Sequence, residues 1–322
     1  GKSTSLGGIP HDTYGMTTNS VRAFVEGIQE QLGLDASQCT KLQTGGPDGD
    51  LGSNEIKMGL EKTVAVVDGS GVAYDPQGLD MEELKALAVA RAMVSKFSKD
   101  KLSNEGFFVS IDETNRALPD GSVVPSGLDF RNVFHLNPMV HVDFFVPCGG
   151  RPAAVSTENY KTFLYDDNGN LRVKYIVEGA NLFFTQEARL KIEEAGVVLV
   201  KDASANKGGV TSSSLEVLAA LCLTDEEFEE HMRIKGDVVP EMYQTYVKEV
   251  QATINNNAKL EFVCMWKHHK ETKEPMSIVS DKLSNKIVHL RDAILASKRI
   301  WQNEALKKNV CPAWVVFFFP GV

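Results

Sequence analysis

The chain has 322 residues, 43% of them apolar and 24% charged, an ordinary globular composition that can bury a sizeable core in one large or two modest domains. Its net charge of −9 argues against broad binding to nucleic acid or anionic membranes, which need a basic face. No apolar run reaches the roughly 20 residues of a membrane span.

Residues 16–33 carry apolar side chains at Val21, Phe24, Val25, Ile28 and Leu32, which predicts a helix capped among Thr17, Thr18, Asn19 and Ser20 and ended by Gly33. CTKLQ (39–43) reads as a strand. It runs into the glycine loop QTGGPDGDLGSNE (43–55), then a helix over SNEIKMGLEK with Ser53 or Asn54 near its cap, then the apolar run TVAVVD ending at Asp68. Gly46, Gly49 and Gly52 form a G-x-x-G-x-x-G string, like the dinucleotide fingerprint with one extra residue ahead of Gly49. Such a string alone is as well explained as a turn. Its context favours the fingerprint, because Asp68 follows Gly49 by 19 residues, where a ribose-binding carboxylate is expected about 20 residues on. Gly69 and Ser70 come next, with no arginine near to receive a 2′-phosphate. These residues predict a Rossmann unit that prefers NAD to NADP.

A helix is expected over 80–98, with Leu84, Leu87, Ala88 and Met93 inward, and a β-hairpin insertion over about 107–132, marked by Pro-Asp-Gly and Pro-Ser-Gly turns. VHVDFFVPCGG (140–150) and YIVEGAN (175–181) read as strands with their loops, followed by a helix over 185–196 and the strand VVLV (197–200). That strand enters a loop, 202–213, containing Asn206, Gly208, Gly209 and the hydroxyls of Thr211, Ser212 and Ser213, ahead of a helix from Ser214. Glycines admit close backbone approach, and a helix start favours an anion; a plain Ser-capped helix is the alternative. The alternation predicts an α/β fold, a Rossmann-like, doubly wound, mostly parallel sheet with a helical C-terminal extension. The expected domains are an NAD-binding domain over 1–225, a helical segment over 226–311 and an atypical tail over 312–322. Ligands then bind beyond the carboxyl ends of the strands, in loops 12–18, 44–52, 68–71, 147–151, 179–181 and 202–213. Cys39, Cys148, Cys222, Cys264 and Cys311 lack C-x-x-C spacing and read as reduced, mostly buried thiols of an intracellular protein. His268 and His269 read as a solvated face, so no metal site is expected.

In that order, GGIPHDTYGMTTNSV, TGGPDGDLGSNEI, VVDGSGVAYDPQGLD, VPCGGRP, VEGANLFFTQEA and DASANKGGVTSSSLEVLA resemble the nucleotide-binding half of the glutamate dehydrogenase family. The resemblance runs from Gly1 to about Val310. LEFVCMW and the 107–132 insertion favour the large NAD-specific type of fungi and other microbial eukaryotes. It implies that Thr17 bonds the nicotinamide carboxamide and that Gly46, Gly49, Asp50, Leu51 and Gly52 form the pyrophosphate turn. It implies further that Asp68 takes the ribose, that Pro147 and Cys148 lie beside the adenosine ribose, and that Asn181 and Asn206 lie near the nicotinamide ribose and substrate. Val210 and Ser213 would line the glutamate side-chain pocket.

The implied reaction is NAD-dependent deamination of L-glutamate to 2-oxoglutarate and ammonia, in a homo-oligomer that is cytoplasmic or mitochondrial. The family's catalytic lysine and aspartate are not among these residues and are expected in a preceding domain, so the chain is expected to be a fragment without activity of its own. Leucine, valine and phenylalanine dehydrogenases are the rival enzymes, disfavoured by the hydroxyl-rich run at Thr211–Ser214. A non-catalytic NAD-binding regulatory module is the rival of another class.

Overall fold

The computed structural model describes residues 2–306, in which two compact units separate: residues 21–206, and residues 2–20 with 207–306. The helix α1 (His11–Tyr14) precedes α2 (Met16–Leu32), inside which the division falls. The first unit continues with β1 (Thr40–Thr44), α3 (Asp50–Met58), β2 (Lys62–Val67), β3 (Gly71–Tyr74) and α4 (Met81–Ala90). Then come β4 (Phe107–Ser110), β5 (Thr114–Ala117), β6 (Val123–Ser126) and α5 (Gly127–Val133). It closes with β7 (Val142–Pro147), α6 (Tyr160–Leu164), β8 (Val173–Val177), α7 (Gln186–Glu194), β9 (Val198–Val200) and α8 (Asp202–Ala205).

Seven strands form one sheet in the order β4-β3-β2-β1-β7-β8-β9. The five from β2 to β9 are parallel, and β3 and β4 extend one edge antiparallel. Alternate side chains enter different core clusters. Val72, Phe107 and Val109 pack with Phe145, Phe163 and Ile192, whereas Val66, Ala73 and Phe108 pack with Ile56 of α3 and Leu84 of α4. Period-2 alternation places these sets on opposite faces, so the sheet is covered on both sides. The strand order turns at β1, with β2 on one flank and β7 on the other, which opens a crevice at the carboxyl ends of β1 and β7.

At the amino ends of β1 and β2 lies a buried charge network. Lys41 of β1 and Arg22 of α2 both reach Glu55 of α3, at 2.8 and 3.1 Å, and Arg22 also reaches Glu61 at 2.8 Å. Burial opposes the Glu61 charge, but Lys41 and Arg22 prevail and hold its carboxylate at about 2.

Several expected boundaries shift for local reasons. The helix α3 starts at Asp50, not Ser53, because Ser53 and Asn54 donate their side chains back to the Asp50 carbonyl, at 3.3 and 3.0 Å, instead of capping. The helix α4 stops at Ala90, capped by left-handed Arg91, and the chain turns so that Val94 N–H donates to Asp68. Within 107–132 only β5 and β6 form the separate hairpin, since apolar β4 buries against β3. Of the described cysteines, Cys39 is buried and Cys148 partly buried, but Cys222 and Cys264 are exposed. Rather than being freely solvated, His268 and His269 reach the Glu274 side chain and carbonyl at 2.8 and 2.6 Å.

In the second unit, α9 (Gly208–Cys222) and α10 (Asp225–His231) lead to the long α11 (Glu241–Thr272), α12 (Met276–Ala296) and α13 (Lys298–Trp301). Tyr243, Val247, Val250 and Ile254 of α11 bury at helical spacing against Ile9, Met16 and Met232. The region expected as a loop over 202–213 is therefore mostly helical, divided between α8 and α9. No helix among the described residues is long and apolar enough to cross a membrane. Cys311 and the tail 312–322 lie outside the described residues.

Candidate functional site

The turn between β1 and α3 is built from backbone. Gly45 takes a left-handed φ of 88°, and its N–H donates to Val67 carbonyl of β2 at 2.8 Å. A Cβ on Gly52 would stand 2.4 and 2.5 Å from the carbonyl oxygens of Gly46 and Gly45, so only glycine lets α3 seat on this turn. Buried Gln43 clamps both sides, donating from Nε2 to Gly45 and Gly52 carbonyls at 2.7 and 3.0 Å. Gly49 differs, since a Cβ there would meet nothing closer than Gly46 O at 3.5 Å. The first N–H groups of a helix have no intrahelical acceptor, so the α3 start at Asp50, Leu51 and Gly52 offers free donors beside Gly49. Arg91 latches this loop by donating to Gly49 carbonyl at 2.9 Å, with Asp50 at 3.4 Å.

This turn borders a cavity of about 530 Å³. Its lining includes Gly46, Asp48, Gly49, Gly52 and Asp68 on one side and Arg131, His135, Cys148, Arg151 and Phe183 on the other. Asp68 is only 4% exposed. Its Oδ1 accepts from Ser70 N–H and hydroxyl at 2.8 and 2.6 Å, and its Oδ2 from Val94 N–H at 2.6 Å, which fixes the carboxylate against Gly46. Desolvation, reinforced by Asp68, raises the Asp48 carboxyl above its ordinary value. The local sequence showed no arginine near Asp68, but folding brings one: Arg131 Nε donates to the Asp68 carbonyl at 2.7 Å.

Across the crevice, β7 ends at Pro147. Cys148 N–H donates to Thr44 carbonyl at 2.6 Å, and Thr44 hydroxyl to Gly149 carbonyl at 2.5 Å, tying the two strand ends together. Burial drives the Cys148 thiol well above its ordinary value and keeps it protonated. His135 packs edge-on to Phe183, ring centroids 5.4 Å apart, and burial pushes it down to about 4, so it is neutral at pH 7. Further along, Asn206 donates to Asn181 Oδ1 at 2.6 Å and to Gly179 carbonyl at 3.1 Å. Arg189 braces this corner, bonding Glu178 at 2.7 and 2.8 Å and Asp202 at 3.2 Å, while burial still pushes Glu178 up to about 7.

In the second unit, His11 reaches Ser213 Oγ at 3.2 Å. A Cβ on Gly208 would stand 2.1 Å from Met16 carbonyl, and one on Gly209 would stand 2.8 Å from Thr17 Oγ1. These glycines therefore let the start of α9 pack closely on Met16 and Thr17. Thr211, Ser212 and Ser214 are buried within α9 rather than displayed at its start. Val210 is 56% exposed.

The profile of the Glutamate/Leucine/Phenylalanine/Valine dehydrogenase family matches residues 7–273. The chain belongs to that family. It is 57% identical over 313 residues to glutamate dehydrogenase 2 of Dictyostelium discoideum, covering 97% of this chain and 30% of that protein. It is 54% identical over 312 residues to the NAD-specific glutamate dehydrogenase of Neurospora crassa, covering 96% of this chain and 29% of that one. The chain thus spans about 30% of the length of these relatives. The crystal structure of Plasmodium falciparum glutamate dehydrogenase shares the fold, with a TM-score of 0.57 and 17% identity over 90% of this chain and 54% of the other.

For this dehydrogenase-family chain, Gly46, Gly49, Gly52, Asp68 and Cys148 lie together on the cavity, with Asp50, Leu51 and Pro147 adjoining in sequence, and Asn181 and Asn206 paired. Thr17, Val210 and Ser213 belong to the other unit. Sequence reasoning placed Gly45 and Asp48 in the candidate loop 44–52 and Arg151 in 147–151 without singling them out. It missed Arg131, His135 and Phe183 on the cavity, and His11 beside Ser213. Arg131 and His135 lie more than 60 residues from Asp68, so no local spacing reveals them.

Proposed function

We propose that this chain is the NAD-binding part of an NAD-dependent glutamate dehydrogenase, which converts L-glutamate, NAD+ and water to 2-oxoglutarate, ammonia and NADH. The observation that carries the reading is the first βα turn, where Gly45 and Gly52 are held so tightly that backbone alone faces the cavity, with Asp68 fixed at the end of the next strand. This is a cradle for a diphosphate with a ribose beside it. NAD, when bound, supplies the hydride acceptor for the substrate Cα.

Residue roles follow from position. The α3 start at Gly49, Asp50, Leu51 and Gly52, with Gly46, receives the diphosphate, and Asp68 receives the adenosine ribose hydroxyls. Oδ2 of Asp68 has one internal donor, which leaves acceptor capacity for one more. Pro147 and Cys148 floor the adenosine side as an inert, neutral surface. Asn181 and Asn206 serve the nicotinamide end. In the other unit, Val210 and Ser213 serve the substrate side chain, with His11 orienting the Ser213 hydroxyl, and Thr17 keeps the carboxamide role that the family resemblance implies. The names of the relatives favour glutamate over leucine or phenylalanine. The working protein is proposed to be an intracellular homo-oligomer.

The test loads the full chain with NADH and follows nicotinamide fluorescence while L-glutamate, 2-oxoglutarate, L-leucine and L-phenylalanine are added in turn. A saturable response to the dicarboxylates alone supports the reading. A response to leucine or phenylalanine alone moves it to another member of the family.

A further inference from the structure

The insertion over about 107–132 does more than decorate the sheet. Its hairpin returns through Ser126, whose hydroxyl accepts from Asp129 N–H at 3.2 Å and starts α5. That helix lays Arg131, Asn132 and Val133 along the cavity wall, in the same lining as Asp68 and Gly69. The Arg131 guanidinium is anchored twice, by Nε on the Asp68 carbonyl at 2.7 Å and by Nη1 on Asn132 Oδ1 at 3.1 Å. No carboxylate forms an ion pair with it among the described residues. A half-buried guanidinium so placed keeps donor capacity toward the cavity, beside the carboxylate that ends β2.

The two charges then oppose each other toward one ligand group. A ribose with free hydroxyls suits the Asp68 acceptor and is indifferent to Arg131. A ribose 2′-phosphate is repelled by Asp68 and Asp48 and attracted by Arg131, whose planar fork fits a phosphate. Building on the dinucleotide reading, we propose that Arg131 is a specificity-determining residue, a receiver for a 2′-phosphate whose effect Asp68 overrides, so that the balance between these two side chains sets the choice of NAD over NADP.

The experiment titrates NADH into the full chain and displaces it with NAD or NADP, for the parent and for Arg131→Ala, Arg131→Lys, Asp68→Asn and the Asp68→Asn/Arg131→Ala pair. Thermal unfolding checks that each variant is folded. Loss of a charge-assisted hydrogen bond predicts that Arg131→Ala weakens NADP by about tenfold or more and NAD by less than about threefold, with Arg131→Lys intermediate. Asp68→Asn strengthens NADP relative to NAD, and adding Arg131→Ala removes that gain. Should Asp68→Asn fail to fold because its amide opposes the Val94 N–H, the Arg131 variants alone decide. Equal losses of NAD and NADP in Arg131→Ala, or an NADP gain in Asp68→Asn that survives the second substitution, overturn the assignment while leaving dinucleotide binding intact. Failure of the parent to bind NADH at all overturns both.

Discussion

Gly49 and Gly52 stand three residues apart in one loop, yet replacing each with alanine has opposite consequences. At Gly52 the new methyl would lie 2.4 and 2.5 Å from two backbone oxygens, which cannot swing aside as a flexible side chain does. Either α3 lifts from the turn or the turn opens, an overpacking cost of about 1–3 kcal/mol. Gly49→Ala meets nothing closer than 3.5 Å, and φ −80°, ψ 153° suits any residue. Alanine there forfeits some of the capping preference of glycine but lowers the entropy of the unfolded chain by about 0.4–1 kcal/mol, so the net change in stability is near zero. The methyl nevertheless crowds the start of α3, where the proposed diphosphate site uses the α3 N–H groups. Displacing even one charge-assisted hydrogen bond costs about 1.5–3 kcal/mol, or roughly tenfold or more in NAD affinity. Denaturant unfolding and calorimetric NAD titration of both variants separate the effects. A Gly49→Ala chain that unfolds like the parent and binds NAD just as tightly would refute the argument that this glycine exists for the ligand.

Three further outcomes test the physical account of the fold. His135 titrates near 4 in the folded chain against an ordinary 6.5, so its stabilising contribution is complete above 6.5 and disappears as pH falls toward 4. That is up to about 3 kcal/mol, and His135→Gln is expected to flatten this part of a stability–pH curve measured by urea unfolding. Lys41→Met leaves Glu55 and Glu61 buried with Arg22 as their cation and is expected to cost about 3–5 kcal/mol; a loss under about 1 kcal/mol in urea would contradict the network's role. Gly208→Ala drives a methyl to 2.1 Å from Met16 carbonyl and is expected to cost about 1–3 kcal/mol, read as a lowered melting temperature, whereas an unchanged melting point would show that α9 shifts freely.

Much of the parallel sheet was legible because β2, β7 and β8 are apolar runs closed by glycine loops and β9 is a short apolar run, and such runs have few alternatives to a doubly covered sheet. The turn at 45–52 and Asp68 were legible through spacing. What escaped was tertiary. Lys41 and Gln43 occupy a central strand as buried polar residues, since Lys41 has Glu55 and Gln43 has the turn carbonyls as partners, and no local pattern announces such pairs. The GGVTSSS segment reads as a loop in composition, but it is the first turns of α9, and its glycines let that helix pack closely on Met16 and Thr17. Arg131 reaches the cavity only because β4 joins the main sheet and returns α5 beside β2.

The most direct test is calorimetric titration of the full chain with NAD and with NADP under one buffer and salt concentration. The account predicts saturable binding of one NAD per chain, with NADP weaker by about tenfold or more, because the lost Asp68 contact and its repulsion of the 2′-phosphate outweigh the attraction of Arg131. No saturable heat with NAD, or equal binding of the two dinucleotides, would contradict it.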